Sequence, residues 1–347
     1  MQRLNHSRAP QEAATAGPDD PARTLALGLR VLQLGPILIL LVLCVALAAL
    51  TPVFLTERNV TNLGFQVSIV AVLALGQLLV ILTRGIDLSV GSIVALSGVL
   101  GAMALDGSFA SSGFGVVLVM LAVGLAVGLM NGVILVKGRI LNAFIVTLGT
   151  LSIVRGVALL VADAQVNVGM PSVVAATGAD KLGPIPVPAA LVVVLATVAW
   201  VMTTKTQWGR WIYAVGGDPE GARRLGIPVD RVLISVYALC GLSAGIAGIL
   251  VAGRTGVGDP NAGTLVELDA ITAVIIGGAS FFGGRGGVWN VVAGALIIAV
   301  MRNGLNLLDV EPFWQMVAIG VLVIVSLELD VLRGHLEERL RAGRAAA

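Results

Sequence analysis

From residue 33 to residue 331, apolar runs of roughly bilayer length follow one another with only short polar breaks between them. A helix rises about 1.5 Å per residue, so about 20 apolar residues cross the hydrocarbon core. Inside lipid no water is present to bond exposed backbone groups, and helix is the conformation that satisfies them within one segment. Read this way, the spans are 33–55, 60–82, 88–105, 114–136, 141–162, 188–204, 232–253, 266–283, 287–308 and 313–331. The third and sixth are short, as tilted, broken or protein-buried helices are. Composition agrees: 57% of residues are hydrophobic and 12% charged, against roughly 25% charged in soluble domains. The 44 glycines suit helices that pack backbone to backbone. The expected fold class is therefore an all-α polytopic membrane protein with about ten transmembrane helices.

Charge placement orients these spans. With the N-terminus in the cytoplasm, 17 of the 22 Lys and Arg fall on the inner side. Arg58, Lys181 and Arg254 fall outside, and Arg155 and Arg302 lie within spans, where each should face protein or water and have a partner. Both termini are then cytoplasmic. Residues 1–32 form a polar tail expected to lack fixed structure, 33–331 the transmembrane domain, and 332–347 a C-terminal tail. The run after residue 32 is too long for a cleavable signal core and is expected to remain as the first span. A net charge of +2, without a basic patch interleaved with aromatics, points away from nucleic acid. Cys44 and Cys240 sit in apolar runs and read as small core residues. His6 and His335 lie in the tails, which argues against a buried histidine site.

MNGVILVKGRILNAFIVTLG (130–149) is echoed by RNGLNLLDVEPFWQMVAIG (302–320). Each has Asn-Gly, an apolar turn, a polar break, an aromatic and then Gly. Five spans separate the copies, so they face opposite sides of the membrane, as two inverted five-helix halves would. Inverted repeats place a transport path between halves. Asn142, Phe144, Thr147, Asn303, Asn306 and Phe313 are the residues expected along it, since both copies carry a polar amide and an aromatic beside the same glycine-containing turn. The same six residues also fit as helix caps and packing groups.

The longest charged interruption is the inner loop 205–231. Its centre, Asp218–Gly226, has a start and a stop. Asp218 is an N-cap and Pro219 suits the first helical position. Glu220 lies at the positive end of the dipole, with Arg223 and Arg224 at the negative end. Gly226 can take the left-handed stop, and Pro228 blocks continuation. A helix this short needs something to pack on: the membrane surface, the rest of the chain or a cytoplasmic partner.

GIDLSVGS (85–92) reads as a tight turn in which Asp87 caps the next helix, or as a gate or latch at the inner mouth formed by Arg84 and Asp87. Gly124, Gly128 and Gly132 form one small-residue ridge, and Gly241 and Gly245 another, expected to pack within the chain. Glu267 and Asp269 read as solvated or paired acids near a span end, or as proton-relay groups. GGASFFGGRGGVWN (277–290) reads as a glycine hairpin and a possible second contact for a cytoplasmic partner. The chain contains no G-x-x-x-x-G-K-[ST] and no H-E-x-x-H, G-x-S-x-G or paired-cysteine pattern.

Taken together, GIDLSVGSIVALSG, LNAFIVTLGTLSIVRG, YAVGGDPEGARRLGI, ELDAITAVIIGGASFFGGRGGVWN and NGLNLLDVEPFWQ resemble the membrane permease subunits of bacterial ABC sugar importers of the ribose, xylose and galactose type. The resemblance covers about residues 35–331. It implies a transport subunit of the inner membrane that is not an enzyme and binds no cofactor itself. ATP and Mg are used by a partner ABC ATPase subunit. It also implies a sugar-binding protein outside and a second permease subunit, alike or different. Under the resemblance Gly216, Gly217, Asp218, Glu220, Ala222, Arg223, Arg224, Leu225 and Gly226 fall in the segment on which the ATPase acts. The family more often has Asn at position 218 and Ala at 221; Gly221 weakens the helix by roughly 1 kcal/mol. The rival readings are an ion- or proton-coupled secondary transporter, which needs mid-membrane acids, and a membrane enzyme.

Overall fold

The computed structural model of the chain describes residues 21–106, 113–140 and 142–346. The first half holds α1 (Pro21–Leu50), α2 (Glu57–Leu82), α3 (Val90–Asp106), α4 (Gly113–Lys137) and α5 (Ala143–Val161). A connecting segment follows, with β1 (Asn167–Val168), α6 (Ser172–Ala179), β2 (Lys181–Leu182) and β3 (Ile185–Pro186). The second half holds α7 (Val187–Lys205), α8 (Gln207–Gly217), α9 (Pro219–Arg224), α10 (Val229–Thr255), β4 (Val257–Gly258), α11 (Val266–Ile276), α12 (Val288–Leu307) and α13 (Pro312–Ala346). The strands are two-residue clasps. β1 pairs antiparallel with β4, Asn167 opposite Gly258, and β2 pairs with β3 as a small hairpin. The fold is thus an all-α polytopic one, and seven of the described helices are long and apolar enough to cross a bilayer.

Three expected boundaries move. The span expected over 266–283 is a helix only to Ile276. Gly277 closes it and Gly278 turns left-handed at φ 86°. A side chain at Gly277 would strike the backbone of Asn290 and Val291, so α11 and the start of α12 touch main chain to main chain. The N-terminal tail is shorter than expected, because α1 already begins at Pro21; residues 1–20 lie outside the described residues. At the other end the expected tail is largely helix, since α13 continues to Ala346.

Two helices make the core. α2 packs on α10, α12, α11 and α7, and α10 packs on α4, α2, α3 and α6. The neighbours come in matched sets. α2 against α12 corresponds to α10 against α4, and α2 against α11 to α10 against α3. α11 against α12 and α13 corresponds to α3 against α4 and α5. The two central helices run antiparallel. Arg254, at the end of α10, bonds Asn62 at the start of α2, and its guanidinium lies 5.2 Å from the Phe65 ring. At the other end, the Tyr237 hydroxyl donates to the carbonyl of Ile86, just past α2, at 3.4 Å. Matched neighbours about antiparallel counterparts are what inverted halves produce.

The two glycine ridges meet each other. A side chain at Gly124 would strike the carbonyl of Gly241, and one at Gly128 that of Tyr237, so α4 and α10 approach to backbone contact. The span-embedded cations have partners as expected. Arg302 pairs with Asp269 at 2.8 Å, and Arg155 donates to the carbonyls of Pro260 at 2.7 Å and Ala262 at 2.8 Å. Cys44 and Cys240 are free thiols.

Candidate functional site

The loop 205–231 folds into two short helices, α8 and α9. The Thr206 hydroxyl accepts the Gly209 amide at 3.1 Å and starts α8. Asp218 ends α8 and begins α9, its carboxylate accepting the Glu220 amide at 3.1 Å with Pro219 in the first turn. The exit is a Schellman turn. The Gly226 amide donates to Arg223 O at 3.0 Å and the Ile227 amide to Ala222 O at 3.1 Å, with Gly226 at φ 82°. Arg223 pairs with Asp230 at 2.7 Å and Arg224 with Glu220 at 3.7 Å. All four side chains are more than half exposed, so each pair contributes at most about 1 kcal/mol.

Tertiary contacts hold this unit in place. Ile212, Val215 and Ala222 are buried in the main core. The Trp208 indole donates to Ser235 Oγ at 2.9 Å. The Tyr213 hydroxyl donates to Gly286 O at 2.8 Å, and burial raises its phenol above the ordinary range, so it stays a neutral donor. Gly216 sits where a side chain would run into Leu82 O, the last residue of α2. Leu82 O itself accepts the Gly284 amide at 2.9 Å. The glycine-rich hairpin 277–287 therefore meets both the loop and α2. Asp330 of α13 braces that hairpin, accepting the Phe281 amide at 2.9 Å and the Ser280 hydroxyl at 3.2 Å.

Arg84 follows α2 in a left-handed conformation, φ 65°, within a Schellman turn closed by Gly85 N to Val80 O at 3.0 Å. A non-glycine residue there stores about 1 kcal/mol or more of strain. Its guanidinium donates through Nε to Gly216 O at 2.6 Å and through Nη2 to Gly217 O. These carbonyls belong to the last turn of α8 and have no donor within the helix itself. The gate or latch of Arg84 with Asp87 is corrected: the two do not pair with each other. Asp87 is fully buried, and its Oδ1 accepts the amide and hydroxyl of Ser89 at 2.9 and 2.6 Å. Asn131 bridges this turn to α5, donating to Ser89 Oγ at 2.9 Å and accepting from Thr150 at 2.7 Å.

Within the loop, Gly217, Asp218, Glu220, Arg223, Arg224, Leu225 and Gly226 are exposed, and Gly216 and Ala222 are buried. Leu225 stands 84% exposed beside the polar faces of α9. Ala222, though in the same segment, is only 3% exposed and faces its own chain.

The six residues expected along a transport path do not form one cluster. Asn142 caps α5 by accepting the Phe144 amide at 3.0 Å. Thr147 is buried and donates to Ile86 O at 3.2 Å. Asn303 is buried in a reciprocal amide pair with Asn59 at 2.8 and 2.9 Å, and Asn306 accepts from Gln315 at 2.7 Å. Phe144 and Phe313 are exposed, at 45% and 74%. On the face opposite the loop, an open cavity of about 760 Å³ is lined by Glu57, Arg58, Asn62, Phe65, Lys181 and Arg254, with Asn59 at its wall. Sequence reasoning did not single out Asn62, Phe65 or Asp330, because each is ordinary in its own segment and meets its partner only across the fold. Among the described residues no group of three His, Cys, Asp or Glu could hold a metal ion.

A helical bundle of inverted halves with a braced, exposed loop on one face and a polar cavity on the other is a polytopic membrane transport subunit. Residues 59–327 match the family model described as branched-chain amino acid transport system / permease component, and the chain belongs to that permease family. It is 40% identical over 295 residues to the ribose import permease protein of Escherichia coli strain K12, covering 84% of this chain and 91% of that one. It is 40% identical over 303 residues to the D-allose transport system permease protein of the same strain, covering 86% and 91%. It is 36% identical over 316 residues to the galactose/methyl galactoside import permease protein of Salmonella typhimurium, covering 86% and 94%. No solved structure matches the chain.

Proposed function

We propose that the chain is the membrane-spanning subunit of an ATP-binding-cassette importer. It passes a monosaccharide from an extracytoplasmic binding protein into the cell and is driven by a separate ATPase that docks on 205–231. Relatives named for ribose, allose and galactose import support the substrate class. The observation that carries the coupling site is Leu225, 84% exposed at the tip of a helix pair whose other face is anchored in the core. An apolar side chain held out on a rigid, charged support fits the buried centre of a partner interface, with Arg224 and Glu220 at its rim. In this reading the loop face is cytoplasmic, both termini lie on that side in the inner membrane, and the ATPase supplies ATP and Mg chemistry. The polar cavity of the other face receives the delivered sugar, and Phe144 and Phe313 offer open aromatic faces along the path. A second permease copy or a related permease completes the membrane unit. The proton-coupled alternative needs free acids within spans. Asp269 is committed to Arg302, while the buried Asp87 Oδ2 and Glu267 Oε2 have no hydrogen-bond partner among the described residues, so the effect of an uncoupler decides between the two.

The test is reconstitution of the permease with its ATPase and binding protein in sealed vesicles. Uptake of labelled ribose, allose or galactose should require ATP and the binding protein. Collapse of uptake by an uncoupler alone, with ATP present, would overturn the assignment. Leu225→Asp should release the ATPase on co-purification, and retention of the ATPase with normal stimulation would remove the loop as the docking site.

A further inference from the structure

We propose that Arg84 is a positioning residue that passes displacement of the α8–α9 unit to α2. The inference rests on the reading of 205–231 as the ATPase-docking segment. Three observations carry it. First, Arg84 holds a backbone conformation that glycine would adopt more easily, so what the position needs is its side chain. Second, that side chain grips α8 by two donors on two successive carbonyls, Gly216 O and Gly217 O. A planar fork with two bonds resists rotation as well as separation, which a single ammonium does not. The positive charge also lies at the negative end of α8, where the orphan carbonyls collect. Third, the surroundings are shaped to leave that grip room. A side chain at Gly283 would meet Arg84 Cγ at 2.5 Å, and one at Gly216 would strike Leu82 O.

The route is continuous. The end of α2 is fixed to Arg84 by the Schellman turn, and Leu82 O is fixed to the hairpin through Gly284. α2, a helix of the first half, in turn packs on α10, α12, α11 and α7, all of the second half. Apolar contacts also hold the loop unit to the core, but the Arg84 fork is a directional hydrogen-bonded link, so a push on α9 reaches through it a first-half helix packed against the second half. Arg84 is exposed on the loop face, so ligand-driven change at the docking surface can load the fork directly.

The experiment compares parent, Arg84→Gly, Arg84→Lys and Leu225→Asp, each co-expressed with the ATPase and reconstituted with binding protein and sugar. Glycine relaxes the left-handed turn and deletes the fork; lysine keeps the charge without the fork. Arg84→Gly should retain the ATPase at parental stoichiometry and its basal hydrolysis. Sugar transported per ATP should fall about tenfold, the scale of a typical coupling between sites, and stimulation of hydrolysis by loaded binding protein should be lost. Arg84→Lys should fall between parent and glycine. Unchanged transport per ATP in Arg84→Gly overturns the proposal. Loss of the ATPase in Arg84→Gly also overturns it, because Arg84 would then shape the docking surface. Retention of the ATPase by Leu225→Asp sinks the docking reading instead, which separates the two failures. If Arg84→Gly does not assemble, Arg84→Asn, whose side chain tolerates the left-handed turn, is judged by the same criteria. Failure of both to assemble makes Arg84 a folding element and overturns the proposal.

Discussion

At the scale of residues, most of the chain's polar groups inside the bundle are committed to one another. Arg302 and Asp269 show what such commitment is worth. Asp269 is 3% exposed and Arg302 35% exposed on their side chains. Removing Arg302 leaves the buried Asp269 carboxylate without its partner, at about 1–3 kcal/mol because the arginine end of the pair is partly solvated. Arg302→Met alone should therefore lower the melting midpoint of the detergent-solubilised protein sharply, and adding Asp269→Leu should recover much of the loss. Equal melting of the single and double variants would show that the pair is not coupled. The reciprocal amides of Asn59 and Asn303 follow the same logic, and they explain why Asn303 stands in the interior instead of facing a path.

At the scale of elements, α8 and α9 act as one piece because caps at both ends and buried residues on one face fix them. Their limits were legible beforehand. Asp218, Pro219, Gly226 and Pro228 each have a local steric or hydrogen-bonding reason to sit where they do, and those reasons do not depend on the rest of the chain. Gly226→Val puts a β-branched side chain at φ 82°, which costs about 1–2 kcal/mol and disturbs the stop. Co-purified ATPase per permease should fall for this variant while its helical content by circular dichroism stays near the parent value. The α4–α10 contact is stricter. Gly128→Leu would drive a side chain into the carbonyl of Tyr237, and the backbones cannot separate without opening the core. Little folded protein should be recovered by size-exclusion chromatography. A monodisperse, normally melting Gly128→Leu protein would contradict the contact.

At the scale of the whole molecule, the prediction concerns sides. In a cysteine-free background made by replacing Cys44 and Cys240, a thiol at Asp180 should react with an impermeant reagent added outside intact cells. One at Glu220 should react only after the membrane is opened. Both positions are exposed, so accessibility decides the outcome, and the reverse pattern would invert the topology. The sequence by itself determined that the chain crosses the bilayer many times, which face carries most of its cations, and where the short loop helix starts and stops. Hydropathy, charge and capping are properties of contiguous residues, and a bilayer reads them one segment at a time. Only the tertiary structure decided that the span after residue 266 breaks at Gly277, that Ala222 faces inward while Leu225 faces out, and that Arg84 grips α8 and not Asp87. Each of these is settled by what lies across the fold from the residue, such as the backbone of α12 against Gly277 or the carbonyls of Gly216 and Gly217 beside Arg84. Partners 132 and 133 positions apart in the chain leave no trace in the local pattern from which segments are read.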